Sequence, residues 1–256
     1  MTAQTLRVPA AGPEPALSVV VPAFNERARL PATLERLRAH LDAAGEPYEC
    51  LVVDDGSGDG TAEVALAAGE AWPELGCLRL EANRGKGAAV QAGMLAARAP
   101  LRLFSDADLS TPIDEIARLR AALAAGADIA IASRGLPASR VEVRQAWTRE
   151  AMGKTYNRIV QLLVLPGIHD SQCGFKLFSG AAARTCFGPL VTLRFGFDAE
   201  VLLRARQAGL RVAEVPVRWE NAAGTRVNSV RDSSQMLTDL VRLRRRLGRS
   251  ARLRGM

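Results

Sequence analysis

Asp106-Ala107-Asp108 closes the apolar run from Leu101 to Ser105 with two carboxylates separated by one small residue. Like charges at the mouth of a buried strand are costly unless a cation lies between them. A hard divalent ion, Mg²⁺ or Mn²⁺, meets that need, because such ions bind through one or two carboxylates and a diphosphate. A solvated turn is the plainer use of Asp-x-Asp. Here, however, the pair follows a strand and precedes the helix-opening Ser110-Thr111-Pro112. Three other strand ends carry polar groups: Asn25-Glu26, Asp54-Asp55 and Ser133-Arg134. A carboxylate of Asp54 or Asp55 can accept from a base N–H or a ribose hydroxyl. One of the pair could instead cap the next helix through Gly56-Ser57, although Ser57 or Asp59 suits that duty better. Gly85-Lys86-Gly87 opens a helix and offers backbone donors and one ammonium to a diphosphate. A tight turn would also explain its glycines, and the spacing is not that of a Walker sequence.

The elements that must position these residues alternate. Strands are expected at Leu17 to Phe24, Tyr48 to Val53, Cys77 to Leu80, Leu101 to Ser105 and Ala127 to Ser133. Helices are expected at Glu26 to Ala43, Thr61 to Ala71, Gly85 to Arg98 and Pro112 to Ala125. This rhythm implies an α/β fold with a mostly parallel sheet flanked by helices, and ligands beyond the C-terminal strand ends. Further helices are expected at Val143 to Leu165, Phe197 to Ala208 and Ser233 to Leu247. A strand from Val212 to Trp219 with internal Pro216 belongs at an edge. Residues 1–16, rich in proline and glycine, read as a flexible leader, 17–247 as one domain and 248–256 as a basic tail. Within the domain, residues 17–135 and the less regular 136–247 read as two halves.

The 256 residues carry a formal charge of +7, and because Lys86, Lys154 and Lys176 are the only lysines, nearly all the positive charge is arginine. That balance points to anionic partners. A nucleic acid is disfavoured, since the strand-end carboxylates would repel phosphate and aromatics make up only 5% of the chain. Cys50, Cys77, Cys173 and Cys186 form no CxxC, and with two histidines no zinc spacing exists. Reduced thiols, a cytoplasmic location and no membrane-spanning segment are expected.

Taken together, the motifs resemble family 2 glycosyltransferases of the GT-A fold. They are Val21-Pro22-Ala23-Phe24-Asn25-Glu26, Val52-Val53-Asp54-Asp55-Gly56-Ser57 with Asp59-Gly60-Thr61, Asn83-Arg84-Gly85-Lys86-Gly87, and Ser105-Asp106-Ala107-Asp108. Asp170-Ser171-Gln172-Cys173-Gly174-Phe175-Lys176-Leu177-Phe178, Phe197-Asp198-Ala199-Glu200 and Gly224-Thr225-Arg226 narrow it to the dolichyl-phosphate β-glucosyltransferases and their relatives. Ser110 stands where the related mannose synthases carry a metal-binding glutamine. No N-terminal anchor like that of the eukaryotic enzymes is seen.

The resemblance implies a nucleotide-sugar site formed by Pro22, Phe24, Glu26, Asp54, Asp55, Lys86, Gly87, Asp106, Ala107 and Asp108, with the cation on Asp106 and Asp108. It implies inverting transfer of a hexose, glucose from UDP-glucose, onto a polyprenyl phosphate, with 17–135 as the nucleotide-sugar half and 136–247 as the acceptor half. Arg134, Arg149 and Arg226 would hold an acceptor phosphate, or simply be solvated or ion-paired. Because a phosphomonoester is already anionic near neutral pH, it needs no base. A small-molecule hydroxyl acceptor would need one, with Asp198 the first candidate and Asp170 the second. Gln172 to Lys176 reads as architectural. Finally, the arginines near the C-terminus would allow peripheral contact with an anionic membrane.

Overall fold

Val19 and Val21 enter one hydrophobic core and Val20 the other, so the strand that carries them is covered on both faces. That strand, β2 (Leu17–Ala23), is buried throughout. It pairs in parallel with β3 (Tyr48–Asp54) and β5 (Leu101–Ser105). Pro22 lies beyond the last β5 partner, Phe104 opposite Val20, where its missing N–H removes no ladder bond. The computed structural model describes residues 3–10, 12–143, 147–221, 235–236 and 238–246.

Helices α1 (Leu30–Ala44), α2 (Thr61–Glu70) and α4 (Ile116–Ala124) cover one face of the sheet. On the other face lie α3 (Lys86–Ala96), α5 (Trp147–Leu163), α6 (Gly180–Phe187) and α7 (Phe197–Gln207). The remaining strands of the main sheet are β1 (Gln4–Arg7), β4 (Leu75–Arg79), β6 (Ile129–Ser133), β8 (Phe175–Ser179) and β9 (Val212–Pro216). Their order is β1-β4-β3-β2-β5-β8-β6-β9. A small second sheet pairs β7 (Arg140–Val143) with β10 (Arg218–Glu220) in parallel. No described helix is long and apolar enough to cross a membrane.

Several expectations are corrected. Residues 4–7, read as part of a flexible leader, form β1, antiparallel on the β4 edge, and Ala10 N–H donates to Pro73 O at 2.7 Å. Backbone pairing outweighs the turn-forming composition that suggested mobility. Helix α1 starts at Leu30 rather than Glu26, because Asn25 adopts φ +54° and residues 25–27 are tied to the neighbouring loop. The expected strand from Val212 to Trp219 divides: β9 takes the sheet edge and ends at Pro216, while Trp219 joins the small sheet. Strand β8 was not foreseen. It runs antiparallel between β5 and β6, carrying the buried Lys176 between apolar residues.

Candidate active site

The loops after β2 and β3 lock together at the C-terminal rim of the sheet. Asn25 N–H donates to Ser57 Oγ at 2.8 Å, Glu26 N–H to Thr61 Oγ1 at 2.8 Å, and Gly58 N–H to Asn25 Oδ1 at 3.1 Å. Asp59 Oδ1 accepts from the Thr61 N–H at 3.0 Å, which caps α2 as its position suggests. Asp54 is fully buried; its Oδ1 accepts from Ser57 N–H at 3.0 Å, and its Oδ2 lies 3.3 Å from Arg79 Nε. Asp54 is therefore turned into the fold, and the Ser57 hydroxyl, one of two groups expected to cap the next helix, accepts from Asn25 N–H instead.

Asp55 organises the next loop. It accepts from Asn83 Nδ2 at 3.0 Å and from the backbone N–H groups of Arg84 and Gly85, both at 2.8 Å. A carboxylate has about four acceptor sites, so one remains for a base or ribose donor. Burial raises the Asp55 carboxyl above its ordinary value, opposed by those backbone donors. Gly85 adopts φ +104° and delivers the chain into α3. Gly87 is a packing position: a Cβ there would lie 2.7 Å from Phe197 Cβ. Phe24 stands half-exposed on the rim. Ala107 is buried, and its carbonyl accepts from the Thr33 hydroxyl at 2.5 Å.

Lys86, the first residue of α3, meets Asp106 with Nζ 2.5 Å from Oδ1. Burial opposes the Lys86 charge, but Asp106 and Asp198 outweigh it and raise its pKa. Asp106 N–H donates to Gly174 O at 2.9 Å, and a side chain at Gly174 would collide with the Asp106 carboxylate. Glycine is what lets the loop before β8 cradle that carboxylate. Asp108 Oδ1 accepts from Ser110 N–H at 2.9 Å, and burial followed by the charge of Asp106 raises its carboxyl. A divalent cation beside the pair would offset the repulsion that Asp106 exerts on the Asp108 charge. Among the described residues no group of three or more acidic, histidine or cysteine side chains is poised to hold a metal. The pair thus fits an ion that takes its other ligands from diphosphate and water.

Asp198, one residue into α7, faces the same cluster. Its Oδ1 lies 2.5 Å from the Nζ of Lys176, which also donates to Cys173 O at 2.6 Å and sits 5.1 Å from the Phe104 ring centre. Burial raises the Asp198 carboxyl, while Lys176 and Lys86 pull it back. The buried Tyr156 hydroxyl has no hydrogen-bond partner among the described residues; burial and the charges of Asp198 and Asp239 raise its pKa. Sequence reasoning missed both Lys176 and Tyr156 as members of this cluster. The one available signal was a lysine interrupting the apolar Phe175-Leu177-Phe178 strand.

Arg134 stands beside the cluster, closed on Asp170: Nε to Oδ2 is 2.6 Å, Nη2 to Oδ1 3.0 Å, and its backbone N–H donates to Oδ2 at 3.0 Å. Its guanidinium also lies 5.3 Å from the Trp219 ring centre. Burial opposes Asp170 ionisation, yet Arg134 holds its carboxyl far below the usual range. Asp170 is accordingly unsuited to act as a base, and Arg134 is oriented by it, with no hydrogen-bond partner for Nη1 among the described residues. The Cys173 thiol is pushed up to about 11 by burial, consistent with a structural role. The Arg149 side chain and Arg226 lie outside the described residues.

Residues 18–187 match the family described as Glycosyl transferase family 2. Dolichyl-phosphate beta-glucosyltransferase of Drosophila melanogaster is 37% identical over 254 residues, covering 93% of this chain and 78% of that protein. The Homo sapiens protein of the same name is 32% identical over 247 residues, covering 91% and 76%. Among solved structures, glucosyl-3-phosphoglycerate synthase from Mycobacterium tuberculosis, in complex with Mn²⁺, UDP and glucosyl-3-phosphoglycerate, superposes with a TM-score of 0.68. It is 18% identical, with 90% of this chain and 80% of that one covered. The fold is GT-A, as the resemblance of the motifs implied. The chain belongs to glycosyl transferase family 2 and is a nucleotide-sugar-dependent hexosyltransferase.

Proposed function

We propose that the enzyme moves glucose from UDP-glucose onto a polyprenyl phosphate, dolichyl phosphate or a relative of it, with inversion at the anomeric carbon. The observation that carries the acceptor is the pairing of both candidate bases with cations. Asp198 lies 2.5 Å from Lys176 and Asp170 lies 2.6 Å from Arg134. Protonating Asp198 would leave the Lys176 ammonium buried without its counter-charge, which is expensive. An acceptor that is already anionic needs no base, and the names of the relatives agree with such an acceptor.

Asp106 and Asp108 would hold Mg²⁺ or Mn²⁺ against the donor diphosphate, as a neighbour of the same fold was solved with Mn²⁺ and UDP. Such an ion, when bound, offsets the charge that develops on the leaving diphosphate. Phe24, Glu26 and the remaining acceptor site of Asp55 would hold the nucleoside. Lys86 would add a positive charge beside the diphosphate. In the transfer the bond from the anomeric carbon to the diphosphate breaks and one to an acceptor phosphate oxygen forms. Arg134, pre-oriented by Asp170, would turn its Nη1 donors toward that phosphate, with Arg149 and Arg226 as further candidates. All four cysteines are buried and unpaired, which suits a reducing compartment and action at the cytoplasmic face of a membrane.

The test is transfer of labelled glucose from UDP-glucose to a polyprenyl phosphate, with and without Mn²⁺. Lipid-linked glucose that disappears in EDTA is expected. The raised carboxyl of Asp198 favours a second reading, transfer to a small-molecule hydroxyl with Asp198 as base. Asp198→Asn separates the two, because it should retain measurable transfer to a phosphate and lose transfer to a hydroxyl.

A further inference from the structure

A cleft of about 580 Å³ lies between the loop 191–194 and the C-terminal helix described over 235–236 and 238–246. Arg194 enters it from the loop, and Arg242, Arg245 and Arg246 from the helix. Among its described lining residues one carboxylate, Asp239, faces these four guanidiniums. Asp239 already accepts from Gln235 Nε2 at 2.9 Å and lies 3.8 Å from Arg242 Nη1. Arg246 has an interaction of its own; bringing the other three guanidiniums around one pocket raises their mutual repulsion, and an anion bearing several acceptor oxygens relieves it.

The cleft also has apolar surface. Val191, 52% exposed, and Leu193 line its loop side. An anion attached to an apolar chain matches that mixture better than a free solute does. Leu193 O accepts from Ala88 N–H at 3.0 Å, and Leu193 and Arg194 pack against Gly85. The wall of the cleft is therefore the segment that covers the start of α3 and runs on to Asp198.

We propose that this cleft seats the phosphate headgroup of an anionic membrane lipid and docks the enzyme on the bilayer beside its active site. The inference rests on the lipid-acceptor reading above and assigns the surface that reaches the lipid's membrane. Arginines in contact with an anionic leaflet act within about one Debye length, roughly 10 Å at 0.1 M salt, so the contact is local and salt-sensitive.

The test is co-sedimentation of the full chain with vesicles of phosphatidylcholine, with or without phosphatidylglycerol, in 0.1 M salt. The double variant Arg242→Gln/Arg245→Gln keeps good helix formers on exposed positions. A control, Arg36→Gln/Arg118→Gln, removes the same charge from α1 and α4 on the opposite face of the sheet. The expected result is at least a tenfold loss of binding to phosphatidylglycerol vesicles for the cleft variant, less than twofold for the control, and no binding to phosphatidylcholine alone. Equal losses in the two variants, or equal binding to both vesicles, would overturn it. Inorganic phosphate binding that the cleft variant loses, with vesicle binding unchanged in that variant, would overturn it as well, by assigning the cleft to a free solute. Transfer to a short-chain polyprenyl phosphate without vesicles is measured alongside. Its failure with docking intact counts against the acceptor assignment only, and its success with docking lost counts against the cleft only.

Discussion

Asp106 and Asp108 point to the same chemistry from different surroundings. Asp106 is held by Lys86 and by the close approach of Gly174, Asp108 by the Ser110 N–H and its own burial. Replacing either by asparagine keeps the shape and removes the charge. Asp106→Asn and Asp108→Asn should each lower kcat/KM by about 100-fold or more. They should also abolish metal-dependent binding of UDP in calorimetry while leaving the circular dichroism spectrum unchanged. Full activity of either variant, or of the intact enzyme in EDTA, would remove the metal from the proposal. The Arg134–Asp170 pair makes a stability prediction. Arg134→Ala leaves a buried carboxylate without its partner and should cost about 3–5 kcal/mol in denaturant unfolding. The folded-state pKa of Asp170 is depressed, so the pair's contribution is present at neutral pH. It is lost as pH falls below about 4, where the unfolded carboxyl protonates. The stability difference between the intact protein and Arg134→Ala should therefore shrink on acidification.

At the scale of elements, the loop leading into β8 does more than connect. Gly174 sits against Asp106, Cys173 O accepts from Lys176, and Lys176 reaches Asp198 on α7. One short segment sets both carboxylates. In Gly174→Ala the added methyl must displace the Asp106 side chain. Activity should fall at least tenfold while the melting temperature changes little, since the displaced group sits at a partly exposed rim. Strand β1 offers a different check at the far edge of the sheet. Deleting residues 1–8 uncovers the β4 edge and should lower the melting temperature and promote aggregation, read by light scattering, with UDP binding retained.

For the whole molecule, strand order matters more than chain order. β6 pairs with β8 and β9, both from beyond residue 136, and β8 fills the place between β5 and β6. Residues 17–135, the half expected to hold the donor, would if expressed alone leave β6 without either partner strand and β5 without one. It should fail to give the dispersed amide spectrum of a folded domain, whereas the full chain should give one. A folded fragment would mean that the donor half is autonomous despite the shared sheet.

The alternation of apolar runs with helical stripes was legible in the residues alone, because both periods are local properties of the chain. So were the strand-end carboxylates and the motifs that singled out Asp106, Asp108, Asp55 and Lys86 as candidates for a nucleotide-sugar site. The role of Lys176 was not legible: a lysine in an apolar strand looks like an interruption until Asp198, 22 residues later, is seen facing it. The pairing of Arg134 with Asp170 across 36 residues, the insertion of antiparallel β8 and the ordering of residues 4–7 were likewise hidden. Each depends on which distant segment supplies a counter-charge or a backbone partner, and only the folded chain decides that.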